Sequence, residues 1–271
     1  MTNDFVQMHQ AGTFLLLNVH DAASAALAEA AGAQALGTTS SGFAYAMGRA
    51  DGAGQVTRDE VLRSVEQICA VTSLPVSVDA ENCWAHDPDE VAETIRLLAD
   101  AGAAGASIED WSGDSRMGFY PLNLATERVQ AAVEAAKALP QPFVVNARAE
   151  SFLYGAADPF DHALERLQKF AALGADCVYA PGPTDEPTVR RLVAESGAPL
   201  NVLIAIGSSV TMADAEAMGV RRVSVGGSLY GAMMGWFEES VRQLVAEGRF
   251  DIGGSRVGGK RFAELFAQTS G

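Results

Sequence analysis

Short apolar runs alternate with longer amphipathic segments along the whole chain. The apolar runs predict strands at residues 14–19, 33–38, 75–80, 104–108, 143–147, 176–180, 200–205 and 222–225. The segments with helical spacing predict helices at residues 22–31, 58–72, 89–101, 125–139, 160–173, 186–196 and 212–218, and a long helix from about residue 228. Eight strand–helix units favour an α/β fold, a closed (β/α)8 TIM barrel of parallel strands, with a doubly wound open sheet as the alternative.

The length fits a single barrel. Residues 1–271 are interpreted as one (β/α)8 domain, of which residues 229–271 form a long C-terminal helical segment. Glycines that precede predicted strands, Gly32, Gly102 and Gly174, are expected to end helices. Two long irregular stretches, residues 39–57 and 111–124, are expected to be functional because long loops in compact barrels seldom lack a role.

The composition argues against a nucleic-acid partner, a membrane span and a disulfide framework. The formal net charge of −15 gives no basic surface for a nucleic acid, and no apolar run approaches the roughly 20 residues of a membrane span. The cysteines Cys69, Cys83 and Cys177 are odd in number and lack a CxxC motif, which argues against a disulfide framework. The N-terminus lacks a signal-peptide pattern, so a cytoplasmic location is expected.

Acidic residues stand where two buried strands are predicted to end. Asp79 and Glu81 are two apart and would face the same side of one strand, and Glu109 ends the next strand. Asp51, in the first long loop, could reach the same mouth. Burying such charges is costly without a positive partner, and Mg2+ prefers oxygen ligands of this kind. Solvated loop acids are the alternative interpretation.

One arginine and one glycine pair are further candidates. Arg148 ends the fifth predicted strand and could hold a carboxylate or phosphonate, or pair with Glu150. Gly226 and Gly227 open the last helix and could form an anion nest or allow tight packing. The HExxH, GxSxG and P-loop motifs and a GxGxxG after the first strand are absent from the sequence, so the corresponding enzyme classes have no support.

Several segments in order resemble the phosphoenolpyruvate mutase/isocitrate lyase superfamily. They are NVHDAASA at residues 18–25, TSSGF at 39–43, GRADG at 48–52, LPVSVDAE at 74–81, AGAAGASIED at 101–110 and NAR at 146–148. The resemblance covers roughly residues 12–230 and implies a (β/α)8 barrel with a Mg2+ site, for which Mn2+ is an alternative. The metal site it implies is formed by acids that bind directly or through water: Asp51, Asp79, Glu81 and Glu109.

The resemblance also implies a substrate and a chemistry. A small 2-oxo acid or phosphonate would bind the metal and the backbone amides of Ser40, Ser41, Gly42 and Phe43. The bond beside the oxo group, C–C or P–C, would be made or broken through an enolate that the metal stabilises. The residues carried over as catalytic are Arg148, which holds the far anionic group, Arg116 and Glu109.

The mobile loop departs from the family pattern. Lyases of the superfamily carry a cysteine where this sequence, SRMGF at residues 115–119, has Met117, which cannot transfer a proton. The sequence therefore predicts neither isocitrate nor methylisocitrate lyase activity, and Arg116 alone keeps the basic character of the loop. The proton source stays open among Tyr45, Tyr120, His20 and a metal-bound water.

Two hypotheses follow from this resemblance. The first is a Mg2+-dependent lyase, mutase, hydrolase or decarboxylase. The second, motivated by Met117, is a barrel that binds oxo acids without turning them over. The resemblance further implies a homodimer or homotetramer formed by swapping the last barrel helix, for which residues 229–266 are long enough.

Overall fold

Eight parallel strands form a closed barrel in the computed structural model, which describes residues 2–52 and 54–267. The strands are β1 (Phe14–Asn18), β2 (Ala35–Gly37), β3 (Val76–Asp79), β4 (Gly105–Glu109), β5 (Val144–Arg148), β6 (Cys177–Tyr179), β7 (Leu200–Leu203) and β8 (Arg222–Ser224). β1 pairs with β8, with Leu16 opposite Ser224. This pairing confirms the closed barrel and excludes the open sheet.

Helices follow the strands and cover the barrel. They are α1 (Thr2–Met8), α2 (Ala22–Ala30), α3 (Ser40–Ala46), α4 (Arg58–Cys69), α5 (Pro88–Asp100), α6 (Leu122–Ala138), α7 (Pro159–Ala172), α8 (Glu186–Glu195), α9 (Met212–Met218), α10 (Ser228–Glu247) and α11 (Gly259–Ala267). Every predicted helix is present. The helices α1 and α3, of seven residues each, were not predicted.

The strands have two different faces because successive side chains alternate. The outward side chains pack against the helices in one large apolar core that includes Val65, Ile95 and Phe170. Inside the barrel, near the amino ends of the strands, Phe14 and Val144 pack against Phe5 of α1. Helix α1 thus closes the bottom of the barrel and leaves the carboxyl ends of the strands as the open mouth.

The three glycines that precede strands behave as predicted. Gly32, Gly102 and Gly174 have φ angles of 96°, 96° and 92°, in the left-handed region that lets a helix end and turn into a strand.

The C-terminal helix α10 carries apolar side chains into solvent. Only Tyr230 and Ser240 of this helix are buried, whereas Trp236, Phe237 and Val245 are 50%, 55% and 82% exposed. The following helix α11 packs against α2. Among the described residues, no helix is both long and apolar enough to cross a membrane.

Candidate active site

Three predicted site residues occupy the last positions of neighbouring strands. Asp79 ends β3, Glu109 ends β4 and Arg148 ends β5, and Glu109 lies directly opposite Arg148 in the sheet register. The sequence argument that these strand ends are adjacent is confirmed. Their side chains project into the mouth of the barrel, the end at which barrels of this kind carry their chemistry.

The guanidinium of Arg148 contacts three carboxylates at once. Its Nη1 lies 2.7 Å from Asp79 Oδ1, its Nη2 lies 3.0 Å from Glu109 Oε1, and its Nε lies 2.7 Å from Glu150 Oε1. Burial alone would lower the pKa of Arg148, but these carboxylates outweigh it and hold that pKa well above its usual value. The ion pair with Glu150, one of the two sequence interpretations, is therefore present as part of a larger cluster.

Glu81 approaches the cluster from a loop and not from a strand. Strand β3 ends at Asp79, and Glu81 has a φ of 45°, so the prediction that both residues face one side of a strand is wrong. Glu81 nevertheless lines a cavity together with Asp79, and burial, together with the charges of Asp79 and Asp51, raises the pKa of Glu81 to about 7. Asp51 lies in the exposed loop between α3 and α4. All four predicted metal acids are thus brought to the same mouth.

A buried arginine, Arg128 of α6, holds the loop that carries Glu81. Its Nη2 donates to the carbonyl of Asn82 at 2.6 Å, and its Nη1 donates to the carbonyl of Ala85. The loop needs this support because Cys83 and Trp84 also have positive φ angles, 60° and 52°, which such residues rarely adopt. Sequence reasoning missed Arg128, since a single arginine on a helix gives no signal of a buried role.

The donor set of the mouth fits a hard cation. Five carboxylates, Asp51, Asp79, Glu81, Glu109 and Glu150, surround one guanidinium, and carboxylate oxygens are the ligands that Mg2+ prefers. Within the described residues, no three acidic, histidine or cysteine side chains are placed to hold one ion. Arg148 bridges Asp79 and Glu109 and therefore competes with a metal ion for their oxygens.

The predicted substrate-binding residues form the start of α3. The amide of Ser40 donates to Asp79 Oδ2 at 3.2 Å, and Ser41 lines the same cavity as Arg148. The amides of Gly42 and Phe43 instead donate to Thr39, and the Phe43 side chain lies in the core. The structure therefore brings Ser40 and Ser41 to the mouth, but not the amides of the other two.

An aromatic pair covers the mouth. The rings of Trp111 and Tyr154 stack with centroids 4.0 Å apart and an interplanar angle of 2°. Burial raises the pKa of Tyr154, and the carboxylates of Glu109 and Glu150 raise it further, so the phenol faces the acids. Sequence reasoning missed Tyr154, although it follows Arg148 closely in a loop.

Residues Arg116 and Met117 lie away from the cluster. Arg116, with 90% of its side chain exposed, pairs with Asp114 through Nη2 and Oδ2 at 2.8 Å. Met117 is 53% exposed. The loop that carries them is closed on itself by a bridge between Trp111 and Phe119.

The side chains considered as proton sources are exposed or contact other groups. Tyr45 is 55% exposed, Tyr120 bonds His86 Nδ1 at 2.6 Å, and His20 packs edge-on against Tyr230. Tyr179, which ends β6, lies near Arg148, and the guanidinium carbon of Arg148 is 5.0 Å from its ring centre.

The glycine pair after β8 serves tight packing. The amides of Val225 and Gly226 donate to Asn18 Oδ1 at 2.9 and 2.8 Å, so those two amides already have an acceptor. A side chain on Gly227 would collide with Ser41 Oγ. Of the two sequence interpretations, the structure favours close packing over the anion nest.

The comparison with known families agrees with this geometry. The sequence profile described as phosphoenolpyruvate phosphomutase matches residues 5–245. The chain belongs to the phosphoenolpyruvate mutase family. The superfamily inferred from the sequence segments is thereby confirmed.

Three proteins that are similar to this phosphoenolpyruvate mutase family protein show how far the similarity extends. A Burkholderia cenocepacia J2315 structure, whose description as a lyase/mutase leaves the reaction open, has 39% identity, a TM-score of 0.92 and coverage of 98% of this chain and 95% of its own. An uncharacterized Mycobacterium tuberculosis protein is 31% identical over 83% of this chain and 81% of its own. The 2-methylisocitrate lyase of Escherichia coli K12 is 34% identical over 62% of this chain and 57% of its own length, so the match spans little more than half of that lyase.

Proposed function

We propose that this protein is a Mg2+-dependent enzyme that makes or breaks a C–C or P–C bond beside the carboxylate of a small 2-oxo acid. The observation that carries the proposal is the carboxylate cluster around Arg148, at the mouth of a barrel of the phosphoenolpyruvate mutase family. An oxygen-only donor set with excess negative charge suits a divalent cation and, through it, an anionic substrate.

The chain's own residues have distinct roles in this proposal. Asp51, Asp79, Glu81 and Glu109 would hold Mg2+, which when bound supplies a Lewis acid for the negative charge of an enolate. The Ser40 amide, close to Asp79, would orient the substrate carboxylate. Arg148 would neutralise the far anionic group.

The stacked rings of Trp111 and Tyr154 would exclude water from the site. Trp111 and Tyr154 come from the loops after β4 and β5, so their stacked rings tie two loops together over the acids. Excluding water strengthens every electrostatic interaction beneath such a cover.

The reaction class stays open between lyase, phosphonomutase, hydrolase and decarboxylase. We propose that it is not an isocitrate or methylisocitrate lyase, because Met117 replaces the proton-transferring cysteine expected in that loop. Because the E. coli methylisocitrate lyase is 34% identical over 62% of this chain, isocitrate and methylisocitrate belong in the test panel.

A substrate panel tests both statements. Purified protein is assayed with oxaloacetate, phosphonopyruvate, phosphoenolpyruvate, alkylmalates, isocitrate and methylisocitrate, in Mg2+ and in EDTA. We expect turnover of at least one oxo acid or alkylmalate in the presence of Mg2+ and not in EDTA. We expect no turnover of isocitrate or methylisocitrate. Turnover that persists in EDTA would contradict the proposed metal dependence.

The alternative function is an oxo-acid-binding barrel without catalysis. The exposed Met117 and the ion pair between Arg116 and Asp114 favour it, because neither loop side chain is placed to move a proton at the mouth. Tight binding of oxalate with Mg2+, together with no turnover across the panel, would select this alternative.

We also propose a homodimer or homotetramer assembled through α10. Its exposed Trp236, Phe237 and Val245 form an apolar face that a second copy would bury. Light scattering of the full chain tests this, and a Phe237→Asp variant is expected to shift the mass to that of the monomer.

A further inference from the structure

Two polar residues inside the barrel have atoms without partners. Asn146 in β5 is fully buried, and neither its side-chain nitrogen nor its oxygen has a hydrogen-bond partner among the described residues. Arg222, the first residue of β8, is 3% exposed, and its Nη1 lacks a partner as well. Because the large majority of buried polar atoms are bonded, two such side chains facing one space indicate that the space holds a molecule.

Both side chains line one cavity that opens at the mouth. Its volume is about 180 Å3, and it also reaches Asp79 and Arg148. Asn146 precedes Arg148 by two residues on the same strand, so it lies about 7 Å deeper in the barrel. The cavity thus continues below the carboxylate cluster, with room for several waters or for part of a small acid.

The guanidinium of Arg222 is held in place by β7. Asn201 is the register partner of Arg222, and its Oδ1 accepts from Arg222 Nε at 2.8 Å. The Nδ2 of Asn201 donates to Ser224 Oγ at 3.1 Å, which fixes the orientation of the amide. One edge of the guanidinium is therefore anchored.

The charge of Arg222 has no direct partner in the described residues, although Asp79 attracts it from beyond ion-pair distance. Within the described part of the chain, it forms no ion pair with a carboxylate. Among its nearest titratable neighbours, burial raises the pKa of the Cys177 thiol to about 11 and also raises that of the Tyr179 phenol, so both are neutral near pH 7. A water could satisfy Nη1, but only an anion satisfies Nη1 and also balances a buried charge that is costly to leave alone.

We propose that Arg222 and Asn146 form an anion subsite inside the barrel, one layer below Arg148, which binds the far anionic group of the substrate from beneath while Arg148 neutralises it from the mouth. The guanidinium and the side-chain amide would both donate to a carboxylate or phosphonate. The assignment of this anion to the substrate rests on the proposed function, whereas anion binding itself does not. The assignment predicts a preference for 2-oxo acids with two anionic groups, such as oxaloacetate or phosphonopyruvate, over pyruvate.

Binding without metal tests the subsite. Malonate and methylphosphonate are titrated calorimetrically into the full chain in EDTA, for wild type, Arg222→Met, Arg222→Lys and Asn146→Ala. Wild type is expected to bind at least one probe, and loss of the charge-assisted bonds should weaken it about tenfold or more in Arg222→Met. Asn146→Ala should show a smaller loss and Arg222→Lys an intermediate one. The stronger of the two probes distinguishes a carboxylate from a phosphonate ligand.

Several results would overturn the subsite. These are failure of wild type to bind either probe, or equal binding by wild type and Arg222→Met. If Arg222→Met does not fold, equal binding by wild type and Asn146→Ala decides against it. A folded Arg222→Met is also expected to melt at a higher temperature than wild type without ligand, because an unpaired buried charge has been removed.

Oxalate with Mg2+ separates this inference from the proposed function. Arg222-dependent malonate binding in EDTA, without Mg2+-dependent oxalate binding or turnover, would leave the subsite standing and reject the function. Turnover by wild type, with an unchanged preference for oxaloacetate over pyruvate in Arg222→Met, would leave the function standing and reject the subsite.

Discussion

Two arginines, Arg148 from β5 and Arg222 from β8, project into the same barrel interior but meet opposite surroundings. Arg148 contacts the carboxylates of Asp79, Glu109 and Glu150 within 3.0 Å. Arg222 contacts only the amide oxygen of Asn201 and forms no ion pair in the described part of the chain. The same residue type thus has three carboxylate partners in one layer and no direct carboxylate partner, among the described residues, in the next.

Because of this difference, the two ends of the cavity favour ligands of opposite charge. At the mouth, five carboxylates exceed one guanidinium, which favours a cation. In the layer below, the charge of Arg222 favours an anion. A metal at the mouth and an anionic group beneath it would together complete the charge balance that the protein leaves open.

The largest expected effect comes from removing the compensated arginine. Arg148→Met leaves Glu109 and Glu150 without a cation, and breaking such a buried pair costs about 3–5 kcal/mol of unfolding free energy. Urea unfolding in EDTA measures this loss. Activity on the best substrate of the panel should fall by about a hundredfold or more, as expected when a key charge-stabilising group is removed.

The response of this variant to Mg2+ sharpens the comparison. Because Arg148 bridges Asp79 and Glu109, the variant should bind Mg2+ at least as tightly as wild type and regain part of its stability. Arg148→Lys, which keeps the charge, is the matched control. A variant as stable as wild type in EDTA would show that the acids do not depend on this arginine.

A third arginine tests whether the mouth needs its supporting loop. Arg128→Met removes the donors to the buried carbonyls of Asn82 and Ala85, at a cost of about 2–3 kcal/mol for the groups left unsatisfied. Since this loop carries Glu81, Mg2+ affinity should fall by about tenfold, a typical cost for losing support of a metal ligand. Calorimetric titration measures it. Loss of stability with unchanged Mg2+ affinity would remove Glu81 from the metal site.

The sequence predicts the mouth better than the layer below it. Asp79, Glu109 and Arg148 can be located in advance because each ends a recognisable strand, and parallel strands place their carboxyl ends together. The sequence predicts the region of Glu81 correctly but for a wrong reason. The alternating pattern predicts that the strand continues to Glu81, whereas β3 ends at Asp79 and Glu81 has a left-handed φ of 45°. Local patterns do not show where a backbone leaves a strand.

The residues of the interior layer are harder to recognise, because they come together only when the barrel closes. Asn146 and Arg222 are polar residues within apolar strands, a signal visible in the sequence, but only the closed barrel shows that both face one cavity. Arg116 shows a different limit. The resemblance places it in the catalytic loop, and in the structure its exposed side chain pairs with Asp114. Side-chain direction in an exposed loop does not follow from sequence spacing.

Acid titration probes the bottom of the barrel, where His9 of the segment after α1 is buried. Burial, with smaller contributions from the charges of Arg222 and Arg221, lowers the pKa of His9 to about 3, although the Phe5 carbonyl that bonds its ring acts in the opposite direction. The unfolded state therefore binds more protons between pH 6.5 and about 3, and stability falls as the pH drops through that window. At pH 5 the loss should reach about 2 kcal/mol.

The matched variant isolates this effect from the acids of the mouth. The stability difference between wild type and His9→Gln, measured by urea unfolding, should shrink as the pH falls from 7 to 5. In the Arg222→Met background this dependence should weaken slightly and not disappear, because burial is the larger cause. A difference that is independent of pH would show that folding does not shift the pKa of His9.

The smallest effect is expected for the exposed arginine. Arg116→Ala removes an ion pair that water screens on both sides, so the melting temperature should not change measurably. Because its charge is already matched by Asp114, kcat/KM should fall by less than about tenfold, well below the factor expected for Arg148→Met. Asp114→Ala, which frees Arg116 without removing it, is the control. A fall in kcat/KM as large as that of Arg148→Met, at an unchanged melting temperature, would show that the loop closes and brings Arg116 to the substrate, which would restore it to the catalytic set.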